Sequence, residues 1–203
     1  MTDIDNIIEV KNLVKYFPVR GGLMGRPTSW VHAVDDVTFK IKRGQTLGLV
    51  GESGCGKTTV GRLVLKLIEP TGGEVYFNNK NIYDEKLWNE REFRRNAQII
   101  FQDAFSSFDI RKNVENIVGQ PLLIHGIAKG KDLKERVAEL LKTVGLKPEM
   151  AREFPHTLSS GQKQCVGIAR SLALNPKFIV ADEPISALDV SVRAQILNLL
   201  KDL

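Results

Sequence analysis

Residues Gly51–Thr58, "GESGCGKT", have the residue types and the spacing of a phosphate-binding loop. They fit the pattern G-x-x-x-x-G-K-[ST], in which glycines let backbone N–H groups close around phosphate oxygens without Cβ clashes. The apolar run "TLGLVG" precedes the motif as a predicted buried strand, and "KTTVGRLVLKLIEP" follows as a predicted helix. This context predicts Lys57 at the β- and γ-phosphates of a nucleotide and the Thr58 hydroxyl on Mg²⁺.

An acidic pair, Asp182 and Glu183, ends the apolar run "FIVADE". A carboxylate at the C-terminal end of a central strand lies beside the phosphate loop in open α/β sheets. We therefore expect Asp182 to hold Mg²⁺ through water and Glu183 to polarise an attacking water as a general base. An acidic pair in this position also serves as a helix cap or a salt-bridge partner, and the upstream loop favours the catalytic role.

A second candidate anion site lies at "TLSSGQKQ", Thr157–Gln164. Small residues and a glycine cluster at the predicted start of a helix. The Ser159 hydroxyl, the backbone N–H of Gly161 and the helix dipole together suit a γ-phosphate. Because the chain already has a complete phosphate loop, the second site raises the question of whose phosphate it binds.

Charge and cysteine content exclude several classes of function. The 203 residues are 42% hydrophobic and 26% charged, and 29 basic against 24 acidic residues give a net charge of +5. The basic clusters "EFRRN" and "KGKDLKER" are interpreted as solvated helix faces, so we expect no nucleic-acid partner. Cys55 and Cys165 are too few for a disulfide scaffold or a zinc site.

Hydropathy gives no sign of a membrane span. The start, "MTDIDNIIEV", is acidic and has no apolar signal core, and no run approaches the roughly 18 apolar residues that a bilayer requires. We expect a cytosolic chain that does any membrane work through a partner.

Strand and helix patterns alternate along most of the chain. "IIEVKNLVKYFPV" and "VTFKI" are antiparallel strand candidates on either side of the Gly/Pro loop "RGGLMGRPTSW", and "EVYF" and "AQIIF" are further strands. Residues 113–154 are predicted to be mostly helical, with Asp132 as the N-cap of "DLKERVAELLKTVGL" and Glu135 as its reciprocal partner. The alternation predicts a parallel α/β sheet with a helical block inserted near the middle.

Five motifs in order, "GESGCGKT", "IIFQD", "LSSGQ", "FIVADE" and "SALD", resemble the ATP-binding subunit of an ABC transporter over essentially the whole chain. The resemblance implies an α/β fold: a P-loop NTPase (RecA-like) core, an N-terminal antiparallel β-subdomain and an inserted α-helical subdomain. It divides the chain into the sheet and first part of the core at 1–105, a helical subdomain facing the permease at 106–157, and the second, incomplete part of the core at 158–203.

In this family two subunits pair head to tail, and each ATP lies between the phosphate loop of one and the "LSSGQ" tip of the other. The resemblance implies Glu183, Gln102 and Lys57 as catalytic residues and Thr58, Gln102 and Asp182 as the Mg²⁺ site. Residues implied to contact ATP are Phe17, Gly51, Glu52, Ser53, Gly54, Cys55, Gly56, Lys57, Thr58, Thr59, Ser159, Gly161, Gln162 and Asp189. Phe17 is the candidate for stacking on adenine, with Tyr16 as the alternative, and Asp189 is placed at the subunit contact.

Within the family, "YFPVRGG", "VHAVDDVTF" and "LGLVGESGCGKTT" resemble the dipeptide and oligopeptide importers. This implies a second ATP-binding subunit, as a heterodimer or a homodimer, transmembrane permease subunits and, indirectly, an extracellular peptide-binding protein. The chain would lie peripherally on the cytoplasmic side of the cell membrane, with "DAFSSFDIRKNV" toward the permease. Ala104 and Asp109-Ile110 depart from the Pro and Asn-Pro that are usual there.

Other departures concern the "LSSGQ" motif, called the signature below, and the end of the chain. Ser160 replaces a glycine of the usual signature, which is tolerable if its φ is negative. Cys165 stands where Arg is common and is interpreted as a core residue. The family also has a histidine after the final helix, whereas His32, His125 and His156 all lie upstream. The resemblance therefore implies C-terminal truncation and impaired hydrolysis by this 203-residue form.

Three alternatives stay open at the level of sequence. An ABC-type ATPase could serve another cargo or act on DNA or ribosomes, although coiled-coil insertions and a second cassette are not visible. A P-loop kinase or GTPase would need a base-recognition motif such as N-K-x-D and leaves "LSSGQ" unexplained. A nucleotide-binding module without turnover would fit the absence of the downstream histidine.

Overall fold

A computed structural model describes residues 6–21, 27–84, 86–185 and 190–202. The chain divides into two compact units, Met1–Phe93 and Arg94–Leu203. The strands are β1 (Asn6–Arg20), β2 (Pro27–Lys42), β3 (Gly72–Phe77), β4 (Lys80–Asn81), β5 (Ala97–Ile100) and β6 (Phe178–Ala181). The helices are α1 (Lys57–Val64), α2 (Glu90–Asn96), α3 (Val114–Ile124), α4 (Gly130–Thr143), α5 (Ser160–Leu172) and α6 (Val190–Asp202).

The first unit contains an antiparallel sheet with the strand order β2-β1-β3-β4. Ile8 pairs with Phe77 and Val10 with Val75, and all four side chains are buried because alternate residues of a strand point to the same face. The predicted antiparallel pairing of the two N-terminal strands is confirmed. The Gly/Pro loop is shorter than predicted, because the ladder with β1 extends β2 back to Pro27.

The segment before the phosphate loop differs from its prediction. Thr46–Val50 forms no strand, and Leu47, Leu49 and Val50 are exposed, Val50 to 97%. An apolar run becomes a strand only where another strand offers hydrogen bonds, and none of the strand pairings of the described residues includes this segment. Helix α1 is also shorter than predicted, since it ends at Val64 and Leu67 lies outside it, exposed.

In the second unit β5 and β6 pair in parallel, from Ala97 opposite Phe178 to Ile100 opposite Ala181. The parallel pairing of these two predicted strands is confirmed. Helices α3, α4, α5 and α6 contribute to one apolar cluster, whose most buried members include Ile100, Val118, Leu141, Ile168 and Ile196. This cluster is the core from which the loops after β5 and β6 extend.

The helical block predicted for residues 113–154 is present, but one of its helices starts earlier than expected. Helix α4 begins at Gly130 with Lys129 as its N-cap, so Asp132 is not the cap. Asp132 lies in the first turn and accepts a hydrogen bond from Arg136 Nε at 3.1 Å. Glu135 pairs with Lys131 instead of capping the helix. Within the part of the chain that is described, no helix combines the length and the apolar character needed to cross a bilayer.

Tyr83 fixes the end of α1, the helix that begins at Lys57. Its hydroxyl oxygen lies 2.6 Å from the carbonyl oxygen of Leu63 and 3.0 Å from that of Ile68. The Leu63 carbonyl lies in the last turn of α1 and also accepts from the N–H of Lys66 at 2.9 Å, and Ile68 follows four residues after the helix end at Val64. The hydroxyl therefore stabilises the turn.

We expect Tyr83→Phe to lower the free energy of unfolding by about 1 kcal/mol, because a partly buried hydrogen bond is lost. Urea denaturation followed by circular dichroism measures the change. Tyr76→Phe is the matched control, since its hydroxyl donates to the exposed carboxylate of Glu74 at 2.9 Å, and we expect a change within about 0.5 kcal/mol. Equal losses in the two variants would contradict the role assigned to Tyr83.

Candidate functional site

The phosphate loop is a tight turn that leads directly into α1. The N–H of Cys55 donates to the carbonyl of Glu52 at 3.3 Å, and Gly54 has a φ of +83°. Gly56 is the N-cap of α1 with φ 99° and ψ 1°, a left-handed conformation that glycine adopts without steric cost. The two left-handed glycines thus let the chain turn sharply into the start of the helix.

Gly56 also needs the absence of a side chain for a second reason. A Cβ on this residue would lie 2.1 Å from the carbonyl oxygen of Ala33 in β2. A Cβ on Gly54 would meet nothing within 4 Å, although its φ is positive as well. The loop is therefore packed against the sheet at Gly56 and open at Gly54.

The ammonium group of Lys57 is folded back over the loop. Its Nζ donates to the carbonyl oxygens of Gly51 at 2.8 Å and Glu52 at 2.7 Å, and it lies 3.7 Å from Cys55 Sγ. The cation and the positive end of the α1 dipole act on the same loop, which favours binding of a polyanion such as a triphosphate. Thr58 and Thr59 follow in the first turn of α1, both half-buried.

The two aromatic candidates for adenine stacking differ in their surroundings. Tyr16 stacks on His32 with 3.9 Å between ring centroids, and its hydroxyl donates to Asp35 Oδ1 at 2.6 Å, which raises the pKa of the phenol. Phe17 is 38% exposed, and the Lys15 ammonium lies 5.0 Å from its ring centroid. One face of Tyr16 is thus already covered, which favours Phe17, whose role stays a prediction.

Gln102 and Glu183 are brought together, although they are 81 residues apart in the sequence. Gln102 Nε2 donates to Glu183 Oε2 at 2.9 Å. The parallel pairing of β5 and β6 causes this contact, because the N–H of Asp182 continues the ladder to the carbonyl of Ile100 at 3.0 Å. The residues that follow the two strands therefore leave the same edge of the sheet side by side.

Glu183 has a φ of +45°, which is unusual for a residue with a side chain. A left-handed backbone at a residue with a side chain costs energy, so the surrounding contacts must hold it in place. Asp182, just before it, is half-buried at the end of β6. Carboxylate and amide oxygens are the ligands that Mg²⁺ prefers, so Asp182 and the Gln102 side chain fit the predicted metal site in their chemistry.

The signature tip is a capped helix start. Ser159 is the N-cap of α5: its Oγ accepts from the N–H of Gln162 at 3.3 Å, and Gln162 Oε1 accepts from the N–H of Ser159 at 2.9 Å. The Gln162 side chain is therefore engaged in a capping box and shapes the tip. Ser160 is the first helical residue with a negative φ, as its tolerance in this position requires, and Gly161 follows it.

Cys165 is buried in the core of the second unit, as expected for a packing residue. Burial raises the pKa of its thiol to about 11, so the group is neutral at physiological pH. Asp189, predicted at the subunit contact, lies outside the described residues.

The family model described as "ABC transporter" matches residues 34–186, three quarters of the chain. The chain belongs to the ABC transporter family. Among curated proteins, the oligopeptide transport ATP-binding protein AppF of Bacillus subtilis is 46% identical over 202 residues, which cover 98% of this chain and 61% of AppF. The glutathione import ATP-binding protein GsiA of Escherichia coli is 50% identical over 203 residues, 100% of this chain and 33% of GsiA.

Solved structures agree with this assignment. The dimeric ATP-binding cassette MJ0796, in a post-hydrolysis state bound to ADP and phosphate, is 32% identical, with a TM-score of 0.84 over 97% of this chain and 82% of that one. A second dimeric structure of the same cassette has the same TM-score and is 33% identical. The predicted fold, the α/β fold of ABC ATP-binding cassettes, is thereby confirmed. The chain spans 61% and 33% of the lengths of the two curated relatives described above.

One buried polar residue of this ABC transporter chain was not recognised from the sequence. Gln164, on α5, is 4% exposed and donates from Nε2 to the carbonyl of Phe101 at 2.9 Å. Its Oε1 accepts from the N–H of Ala104 at 3.4 Å. The available signal was a glutamine within the apolar face of the predicted helix, because a buried amide requires hydrogen-bond partners.

We expect Gly56→Ala to destabilise the first unit by more than 2 kcal/mol (an order-of-magnitude figure), because a left-handed φ and a backbone clash add together. Gly54→Ala is the matched control and should cost about 1 kcal/mol, since it has the unfavourable φ in open space. Chemical denaturation of both variants gives the comparison. Equal costs would show that the approach to Ala33 does not constrain the loop.

Proposed function

We propose that this chain is the ATP-binding and ATP-hydrolysing subunit of a peptide importer. The observation that carries the proposal is the 2.9 Å hydrogen bond between Gln102 and Glu183 at the end of β6, next to Asp182. An amide and two carboxylates at the end of a parallel strand suit Mg²⁺ and a water molecule that attacks a phosphate. Membership of the ABC transporter family supports ATP as the nucleotide.

The phosphate loop is assigned to the triphosphate. Lys57 would donate to the β- and γ-phosphate oxygens in place of the carbonyls of Gly51 and Glu52, which it contacts now. Mg²⁺, when bound, would neutralise phosphate charge, and we assign Thr58, Gln102 and Asp182 to it. Phe17 is assigned to the adenine ring.

Glu183 is assigned as the general base for the attacking water. Its exposed carboxylate can accept the proton, and the hydrogen bond from Gln102 fixes its orientation. Gln102 thus has two roles, as a Mg²⁺ ligand through its amide oxygen and as a donor to Glu183 through its amide nitrogen.

The Ser159–Gly161 tip is assigned to the γ-phosphate of an ATP bound by a second ATP-binding subunit, either a sibling chain or a second copy. The oxygen of Ser159 accepts within the capping box, so its hydroxyl proton is left for donation to a phosphate. Asp189 would lie at the same contact. The dimeric cassettes among the structural neighbours support such pairing. ATP would then join the two subunits, and hydrolysis would release them.

Peptides are the proposed cargo because the printed names of two relatives specify oligopeptide transport and glutathione import. The chain would act peripherally on the cytoplasmic side of the cell membrane, below transmembrane permease subunits that an extracellular peptide-binding protein supplies. Residues 106–157 form the proposed permease-facing subdomain. No nucleic acid is part of the proposal.

We expect Glu183→Gln to lower kcat for ATP hydrolysis by about 10²- to 10⁴-fold while ATP affinity is retained, because the amide cannot accept the proton. Phosphate release and nucleotide binding are measured on the chain assembled with its partner subunit. The paired state should also persist longer in the presence of ATP. Glu69→Gln, at an exposed position after α1 and outside the proposed permease-facing subdomain, is the control and should behave as the unsubstituted chain. Normal hydrolysis by Glu183→Gln would remove Glu183 as the base.

Isolation of the tagged chain from membranes tests the proposed partners and cargo. We expect permease subunits to be retained with it, and uptake of a labelled dipeptide or tripeptide to require an intact Glu183. Cells that carry Glu69→Gln should keep full uptake. Peptide uptake that is unaffected by Glu183→Gln would contradict the proposed cargo.

A further inference from the structure

We propose that Gln164 is a positioning residue that holds Gln102 in place for hydrolysis and links it to the signature helix α5. This inference rests on the proposed function, because Gln102 matters only if ATP is hydrolysed. The described hydrogen bonds of the Gln164 side chain run to backbone groups of Phe101 and Ala104. It acts on the backbone on both sides of Gln102.

The two contacts of Gln164 enclose a short stretch of chain. Its amide nitrogen donates to the carbonyl of Phe101, the residue before Gln102, at 2.9 Å. Its amide oxygen accepts from the N–H of Ala104, two residues after Gln102, at 3.4 Å. One side chain therefore fixes the backbone at both ends of the Gln102–Asp103 pair, which follows β5 and is no longer part of its ladder.

Burial makes this attachment rigid. Gln164 is 4% exposed, so water cannot replace either hydrogen bond without opening the core. Gly167, one turn further along α5, supports the same contact: a Cβ there would lie 2.4 Å from Cβ of Ala104. Helix α5 is thus packed so closely against Ala104 that only a residue without a side chain fits at position 167.

The same helix carries the signature tip. Ser159 caps α5 five residues before Gln164, and little more than one helical turn separates the two. A shift of the tip on contact with a phosphate would therefore reach the Gln102 backbone through a single rigid element. This gives the Gln102–Glu183 pair a direct connection to the site proposed for the second subunit's ATP.

A second buried hydrogen bond from α5 provides a matched comparison. Ser171 is as buried as Gln164, and its Oγ donates to the carbonyl of Ile99 at 2.7 Å. Ile99 lies inside β5, where the pairing with Val180 already holds the backbone. Loss of the Ser171 contact should weaken the attachment of α5 to the sheet without releasing Gln102.

The kinetic experiment uses Gln164→Met, which keeps the length of the side chain and removes both hydrogen bonds. In the assembled ATPase we expect kcat to fall about ten- to a hundredfold with little change in KM, because Gln102 is displaced while the phosphate loop is untouched. Ser171→Ala should stay within about twofold of the unsubstituted kcat. In a Gln102→Ala background, Gln164→Met should have no further effect on kcat, because the group that it positions is gone.

Gln164→Asn is the second variant, since it keeps an amide in the core and serves if the Met variant does not fold. The shorter side chain cannot reach both Phe101 and Ala104, so its kcat should also fall. Wild-type kcat in either folded variant would overturn the proposal. Equal losses in Ser171→Ala, or full additivity with Gln102→Ala, would overturn it as well, because both results indicate a general loss of stability.

Hydrogen exchange at the Ala104 amide is a readout that does not depend on hydrolysis. We expect exchange at Ala104 to speed up in Gln164→Met and to stay unchanged in Ser171→Ala. If the unsubstituted assembly does not hydrolyse ATP at all, the proposed function fails, whereas the exchange result still decides whether Gln164 holds this backbone. Unchanged exchange in Gln164→Met would overturn the positioning role even in an active ATPase.

Discussion

The parallel register of β5 and β6 is the constraint on which the second unit of the chain depends. Ile100 lies opposite Ala181, and the N–H of Asp182 extends the ladder by one more bond to the Ile100 carbonyl. A shift of one residue would reverse the faces of every side chain that follows. The register therefore decides that Gln102 and Glu183 leave the sheet next to each other and can share a hydrogen bond.

Helix α5 connects the loop that contains Gln102 to the signature tip. Its first turn is the signature tip, closed by the reciprocal hydrogen bonds of Ser159 and Gln162. Its buried face continues with Gln164 and Ser171, each bonded to backbone of β5 or of the residues just after it. Arg170, whose pKa is lowered by burial, donates to Ser107 further along the same segment. One helix thus carries the tip proposed to bind a phosphate and anchors the loop that contains Gln102.

Much of this could be predicted from the sequence, and the failures have a common cause. The strands β1, β5 and β6 follow from short apolar stretches of the sequence, which are local properties. The strand predicted at Thr46–Val50 and the cap predicted at Asp132 were wrong. The strand would have needed a neighbouring strand to pair with, and the cap depends on the residue at which the helix begins. The pattern of apolar residues along the chain gives neither.

By itself, the sequence determined which chemical groups are present and in what order: a glycine-rich loop ending in Lys57, a glutamine after one strand, an acidic pair after another and a small-residue helix tip. Spacing within a motif is enough for this, because neighbours in the chain remain neighbours in space. Only the tertiary structure decided which groups meet across long separations. It joined Gln102 to Glu183, packed Gly56 against Ala33 and buried Gln164 between Phe101 and Ala104. Such contacts depend on strand register and side-chain packing, which involve the whole unit at once.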